Sequence, residues 1–222
     1  MSVRLINYSK QMQYAMEMDD LCETIAYCAR VSNPANQSNT DTNEKLLRYL
    51  IKHQHWSPFE MASVCLEIDT TRDIARQILR HRSFSFQEFS QRYADPTGDL
   101  GFEMREARLQ DTKNRQNSIE TDDPHLSGAW RIRQETLAEL AKEHYDWAIS
   151  KGMAKEQARA VLPEGLTQSR MYMNGTIRSW IHYIDLRSSN GTQKEHMIIA
   201  RECAKAIEPI FPMISEFVHE LP

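Results

Sequence analysis

The sequence predicts an α+β fold, with helices packed on a modest, largely antiparallel β-sheet. Three observations carry this expectation. Met61 to Thr71 alternates, with Val64, Leu66 and Ile68 separated by Cys65 and Glu67, which is the period of a strand. From Arg72 the period turns helical, and after Pro124 a second helical tract runs to about Ser150. The chain has no repeats or low-complexity tracts, and its 222 residues, 41% hydrophobic and 26% charged, suit a single domain over residues 1–222.

In chain order, Val3 to Tyr8 reads as a short strand and Asp19 to Val31 as a helix, with Leu21, Ile25 and Cys28 at helical spacing. Asn33 to Asn43 is a polar loop. Asn43 can cap a helix through Leu46, Leu47, Leu50 and Ile51, which ends in the loop His53-Gln54-His55-Trp56-Ser57-Pro58. The helix opened by Arg72 groups Ile74, Ile78 and Leu79 on one face. Ser83 to Tyr93 then reads as an extended segment, followed by a polar stretch, 95–123, that is a candidate flexible loop. The long helix after Pro124 should place Leu137, Leu140, Ala141 and Ala148 on one stripe and stop at Gly152. A shorter helix, Ala154 to Leu162, stops at Pro163, and a short extended piece follows Gly165. Three more helices are expected: about Gly175 to Leu186, Thr192 to Ile207, and one after Pro209.

Composition narrows the function. No apolar run approaches the roughly 20 residues of a spanning helix, and the opening residues lack the apolar core of a secretory signal, so a cytoplasmic protein with no membrane partner is expected. Cys22, Cys28, Cys65 and Cys203 form no C-x-x-C pair and read as reduced, with no disulfide and no metal site expected. The net charge of −4 disfavours nucleic acid as a partner. Yet 18 of the 27 cationic side chains are arginine, whose planar fork grips phosphates and carboxylates.

Those arginines cluster. Arg76, Arg80, Arg82 and Arg92 form one group, and Arg159, Arg170, Arg178 and Arg187 a second. Neighbouring cations repel unless anions intervene, so the groups either face something negative or consist of solvated and acid-paired side chains. None of the seven glycines forms G-x-G-x-x-G or a Walker-type loop, so any bound phosphate must be held by side chains.

The spelling around the first group is more specific. Arg80-His81-Arg82, seven residues and then Ser90, with Ser85, Glu88 and Arg92 in place, resembles the R-H-R-x7-S signature of the flavin-dependent thymidylate synthases (ThyX). His53 to Glu60 is similar to that family's H-x-H-x-[ST]-P-F-E stretch, and Arg159 to Pro163 to its R-x-x-L-P segment. Asp185-Leu186-Arg187, followed by Gln193 and Glu195, resembles its late L-R and trailing Q-x-E. Met61 stands where members often carry His, and Gln87 where Asn is common.

The resemblance implies reductive methylation of dUMP to dTMP. The family uses FAD as cofactor, 5,10-methylenetetrahydrofolate as one-carbon donor and NADPH as reductant, in a homotetramer whose active sites form between subunits. No enzyme cysteine adds to the uracil. The implied catalytic residues are Arg187, which stabilises negative charge developing on the pyrimidine, Ser90, which hydrogen-bonds substrate, and His55, near flavin and folate. The implied dUMP contacts are Gln77, Ile78, Leu79, Arg80, Glu88, Phe89, Ser90, Gln91, Arg92, Arg159 and Arg187. For FAD they are Ser57, Arg80, His81, Arg82, Glu88, Arg178 and His182, with Thr176 and Ile177 beside them.

Overall fold

The computed structural model describes residues 1–12, 17–18 and 21–220. Its elements are β1 (Ser2–Tyr8), β2 (Gln11–Met12), β3 (Glu17–Met18), α1 (Leu21–Ala29), α2 (Asn43–Lys52), β4 (Ser63–Thr71), α3 (Arg72–Ile78) and β5 (Ser85–Glu88). There follow α4 (Pro96–Asp99), β6 (Arg108–Gln110), β7 (Ser118–Glu120), α5 (Pro124–Ser150), α6 (Lys155–Ala158), β8 (Gln168–Thr176), α7 (Ile177–Arg187) and α8 (Lys194–Ile207). The start expected for the first helix, Asp19, lies outside the described residues.

The main sheet has the order β1-β4-β8-β5, and every pairing in it is antiparallel. The expected α+β architecture is present. Strand alternation gives the sheet two faces. One carries Val64, Leu66, Ile68, Met171 and Met173, all fully buried under α3, α7 and α8 with Ile74, Ile78, Trp180, Tyr183, Ile199 and Ile207. Each such side chain contributes about 1.5–3 kcal/mol when fully buried. The other face is a charge ladder: Glu67 pairs with Arg4 and accepts from the Tyr172 hydroxyl at 2.9 Å, and Arg170 meets Asp69 at 2.7 Å. Buried Glu67 is therefore held ionised, its carboxyl drawn below the usual range chiefly by Arg4.

Helix ends explain the chain reversals next to the site. At the end of α2, Gln54 adopts φ 57°, its N–H donates to the Ile51 carbonyl at 3.0 Å, and the His55 N–H donates to Leu50 at 2.8 Å. This left-handed helix stop turns the chain back so that His53 and His55 lie beside Tyr49 of α2. Gly175 sits in β8 where a Cβ would lie 2.3 Å from the Phe84 ring, so the close approach of β5 to β8 requires glycine.

Several expectations are corrected. Leu137 and Leu140 lie outward, about half exposed, while α5 buries Gln134, Ala138, Ala141, Tyr145 and Ala148. The small residues mark the packed stripe because they allow close approach to α6. Asn43 follows the cap position, held by Thr42, and its side chain accepts from Arg30 at 2.6 Å. The extended segment after Arg82 ends at Glu88, because Ser90 accepts the N–H groups of Tyr93 and Ala94 in a turn. The piece after Gly165 is a nine-residue central strand that includes Gly175, so α7 starts later than expected, at Ile177. A 3-10 turn, Pro212–Phe217, stands in place of the last helix. Within 95–123, Asp95 caps α4 through Thr97 and Gly98, β6 pairs with β7, and Phe102 bridges Thr167.

Candidate active site

Helix α3 organises the site. Its apolar side, Ile74, Ala75 and Ile78, is buried, so Arg72 and Arg76, four apart, share another face, and Arg80 follows just past the helix end. The N-terminal part of that face borders a cleft of about 390 Å³ lined by Arg72, Arg76, Gln91, Glu156, Arg159, Glu164 and Thr167. Arg76 pairs with Glu164, and Arg92 meets Glu156 at 3.2 Å. Arg72 reaches Glu88 at 3.2 Å, and Glu88 also accepts from the Ser169 hydroxyl at 2.7 Å. Gln91 is buried, yet among the described residues its Nε2 has no partner. An orphaned donor beside arginine forks is the provision a bound phosphate calls for, since an unmet buried donor costs about 1–3 kcal/mol.

Where α3 ends, the chain turns through Arg80-His81-Arg82, and His81 meets Arg187 from the end of α7. Arg187 Nε donates to His81 Nε2 at 2.9 Å. The imidazole stands edge-on to Tyr183, with centroids 4.9 Å apart, and is half-buried. Burial, then Arg187 and Arg80, push the His81 pKa down to about 4, so it stays neutral at pH 7 and its Nε2 is a lone-pair acceptor. The Arg187 pKa is also lowered, foremost by burial, with Tyr183 opposing and Arg80 adding to the shift.

Arginine pairing sorts the two sequence clusters. Arg76, Arg92, Arg170 and Arg178 have carboxylate partners. Among the described residues, Arg80, Arg82, Arg159 and Arg187 have none. Of these eight, the second four have charge left for a ligand.

A separate group forms where the loop after α2 meets the first half of α7. Arg178 pairs with Glu60, and His182 packs against Trp56 with ring centroids 4.6 Å apart. Burial and then Arg178 lower the His182 pKa. His55 stacks near Tyr49 and His53, and both His55 and Ser57 are exposed. Four-residue spacing puts Arg178 with His182 on one side of α7 and Tyr183 with Arg187 on another, about 100° round the helix. Among the described residues no hydrogen bond or ion pair joins this group to the Arg159 cleft.

The remaining implied contacts are mixed. Ile78 and Ile177 are core side chains, which leaves only their backbone to a ligand. Leu79 and Phe89 are half-buried, and the Phe89 N–H is taken by the Arg170 carbonyl at 2.8 Å. Thr176 caps α7 by accepting the Ser179 N–H. Ser90 Oγ accepts the Arg92 N–H at 3.4 Å. Burial raises the thiol pKa of Cys28, Cys65 and Cys203.

The sequence reading missed His196. It is fully buried on α8 between Gln77 and Tyr183, at 3.3 and 3.1 Å, and its ring is 6.2 Å from His81. The available signal was its helical register with Ile199, Ala200 and Cys203, which puts a histidine in an apolar stripe. Arg105 and Arg108 were missed too: they pair with Glu195 at 3.1 and 2.5 Å and tie the 95–123 stretch to the site.

Residues 13–213 match the family model Thy1, the thymidylate synthase complementing proteins. The chain is 49% identical over 216 residues to a probable flavin-dependent thymidylate synthase of Paramecium bursaria Chlorella virus 1, covering 97% of this chain and 98% of the relative. It is 50% identical over 191 residues to the flavin-dependent thymidylate synthase of Synechocystis, covering 86% of each. Among solved structures, a UMP/dUMP methylase, PolB of Streptomyces cacaoi, bound with 5-Br dUMP, superposes with a TM-score of 0.79 at 26% identity, covering 97% of this chain and 93% of that one. With the family model spanning most of the chain and near-full-length relatives at about half identity, this chain belongs to the Thy1 family of flavin-dependent thymidylate synthases.

Proposed function

We propose that the chain methylates dUMP to dTMP with FAD as cofactor, 5,10-methylenetetrahydrofolate as one-carbon donor and NADPH as reductant, as a cytoplasmic homotetramer. The observation that carries the reading is the 2.9 Å bond between Arg187 and His81, which brings motifs 106 residues apart into one site.

The dUMP phosphate suits the cleft of Arg159, Arg72 and the orphaned Gln91 amide, with Arg92 at its edge beside Glu156. In this reading Ser90, Glu88 and Gln77 orient the nucleoside, with Glu88 tied to the cleft through Arg72 and Gln77 held by Gln193 and His196. Arg187 supplies a fixed, partly desolvated cation without a carboxylate partner, suited to charge spreading over the pyrimidine oxygens as ring carbon 5 becomes nucleophilic. His81 fixes the direction of that cation by accepting from its Nε and leaves the terminal guanidinium nitrogens free. Cysteine is not called on as nucleophile, in keeping with thiols held protonated by burial.

Arg80, Arg82 and the Ser57, Arg178 and His182 group offer the donors that a flavin dinucleotide needs for its pyrophosphate and ring, and His55 stands beside them. When bound, FAD supplies the hydride that completes the methyl group. The outward apolar residues of α5, with Trp130, Ile132, Leu137, Leu140 and Trp147 exposed, support an assembly of several subunits. Among the described residues no helix is long and apolar enough to cross a membrane. In this reading the stretch 95–123, linked to Glu195 by two arginines, serves as a cover for the site.

The test is an absorbance spectrum of the purified protein, then an assay for dTMP from dUMP with methylenetetrahydrofolate and NADPH. A flavin spectrum and dTMP formation are expected. Flavin without product would leave a flavin-binding protein that is not a synthase.

A further inference from the structure

The amide of Gln77 is the middle link of a hydrogen-bond chain whose direction is set from one end. Glu195 is buried, ion-paired to Arg105 and Arg108, and its carboxyl pKa is lowered, so it can only accept. Gln193 must therefore turn its Nε2 toward Glu195, at 2.9 Å, and its Oε1 toward Gln77. Gln77 donates from Nε2 to that oxygen at 2.8 Å, which leaves its Oε1 facing His196 Nδ1 at 3.3 Å. Nδ1 then carries the hydrogen, and His196 Nε2 accepts from the Tyr183 hydroxyl at 3.1 Å.

We propose that His196 is a positioning residue for substrate: its Nδ1–H anchors the oxygen of the Gln77 amide, whose orientation Gln193 sets, so that the remaining Nε2 hydrogen and Oε1 lone pair meet the nucleotide in a fixed pattern. The proposal rests on the reading above that Gln77 contacts dUMP. Without His196, the Gln77 amide loses the partner that fixes its oxygen. The Arg105 and Arg108 pairs then secure the far end of the chain, through Glu195, from the stretch that follows α4.

Two substitutions separate the two halves of the imidazole. In His196→Asn the amide nitrogen takes the place of Nδ1 and keeps the donor to Gln77. In His196→Gln the longer side chain takes the place of Nε2, keeping a partner for Tyr183 and losing the one for Gln77. On the FAD-loaded protein, dUMP affinity by calorimetry should stay within about twofold of wild type in His196→Asn and weaken about tenfold in His196→Gln, the scale of one hydrogen bond. The KM for dUMP should follow the affinity while kcat at saturating dUMP changes little.

Equal affinities in the two variants, or a fall in kcat with affinity unchanged, would overturn the role of His196. Should His196→Gln not fold, Gln193→Leu breaks the same chain from a half-buried position: a weakening of similar size supports the proposal and unchanged affinity overturns it. A wild-type protein that binds no dUMP would overturn the functional reading itself, and the proposal with it.

Discussion

Arg187 and His81 meet across 2.9 Å with the guanidinium as donor and a neutral imidazole as acceptor. The pairing joins the end of α7 to the turn after α3, and each partner alters the other. Arg187 helps hold the His81 pKa near 4, and His81 gives a cation without a carboxylate partner a single direction.

This neutrality makes stability depend on pH. His81 and His196 have folded pKa values pushed from 6.5 to about 4 and about 3, chiefly by burial. Below pH 6.5 the unfolded chain binds protons that the folded chain refuses, so stability falls as pH falls from 6.5 toward those values. A fully buried group contributes a slope of up to about 1.4 kcal/mol per pH unit. Urea unfolding at pH 7 and pH 5 should show this loss, and His196→Asn should show less of it. An unchanged slope in that variant would assign the acid lability elsewhere.

Two glycines should respond oppositely to alanine. At Gly175 a Cβ would strike Phe84, which packs edge-on to Trp180 at 4.8 Å, so Gly175→Ala should cost about 1–3 kcal/mol in urea unfolding. At Gly128, inside α5, a Cβ meets nothing within 4 Å, and Gly128→Ala should gain about 0.5–1 kcal/mol. A neutral Gly175→Ala would contradict the close packing of β5 on β8.

The cleft around Gln91 and Arg159 predicts a selective effect on substrate affinity. Arg159→Gln removes a phosphate-directed cation and should raise the KM for dUMP roughly tenfold or more, with flavin content unchanged. Steady-state kinetics on flavin-loaded protein checks it, and an unaltered KM would move the phosphate elsewhere.

Much of this was legible from the chain. Hydrophobic period located β4 and α3 because Val64, Leu66 and Ile68, and Ile74 and Ile78, recur at strand and helix spacing and are buried. It misread α5, where Ala138, Ala141 and Ala148 pack closely while the more hydrophobic Leu137 and Leu140 face out. It shortened β8, whose alternation rests on two methionines between Arg170, Tyr172 and Asn174. The motif spelling named His81 and Arg187 but not their contact, which depends on the packing that brings the end of α7 to the turn after α3. His196, Arg105 and Arg108 stayed hidden because only the tertiary fold brings them to Gln77 and Glu195.

The most direct test is Arg187→Ala, followed by flavin absorbance and dTMP formation in the same preparation. The account predicts retained FAD and turnover reduced at least about a hundredfold, as expected on losing an electrostatic contact to developing charge. Turnover near that of wild type with flavin bound would contradict it.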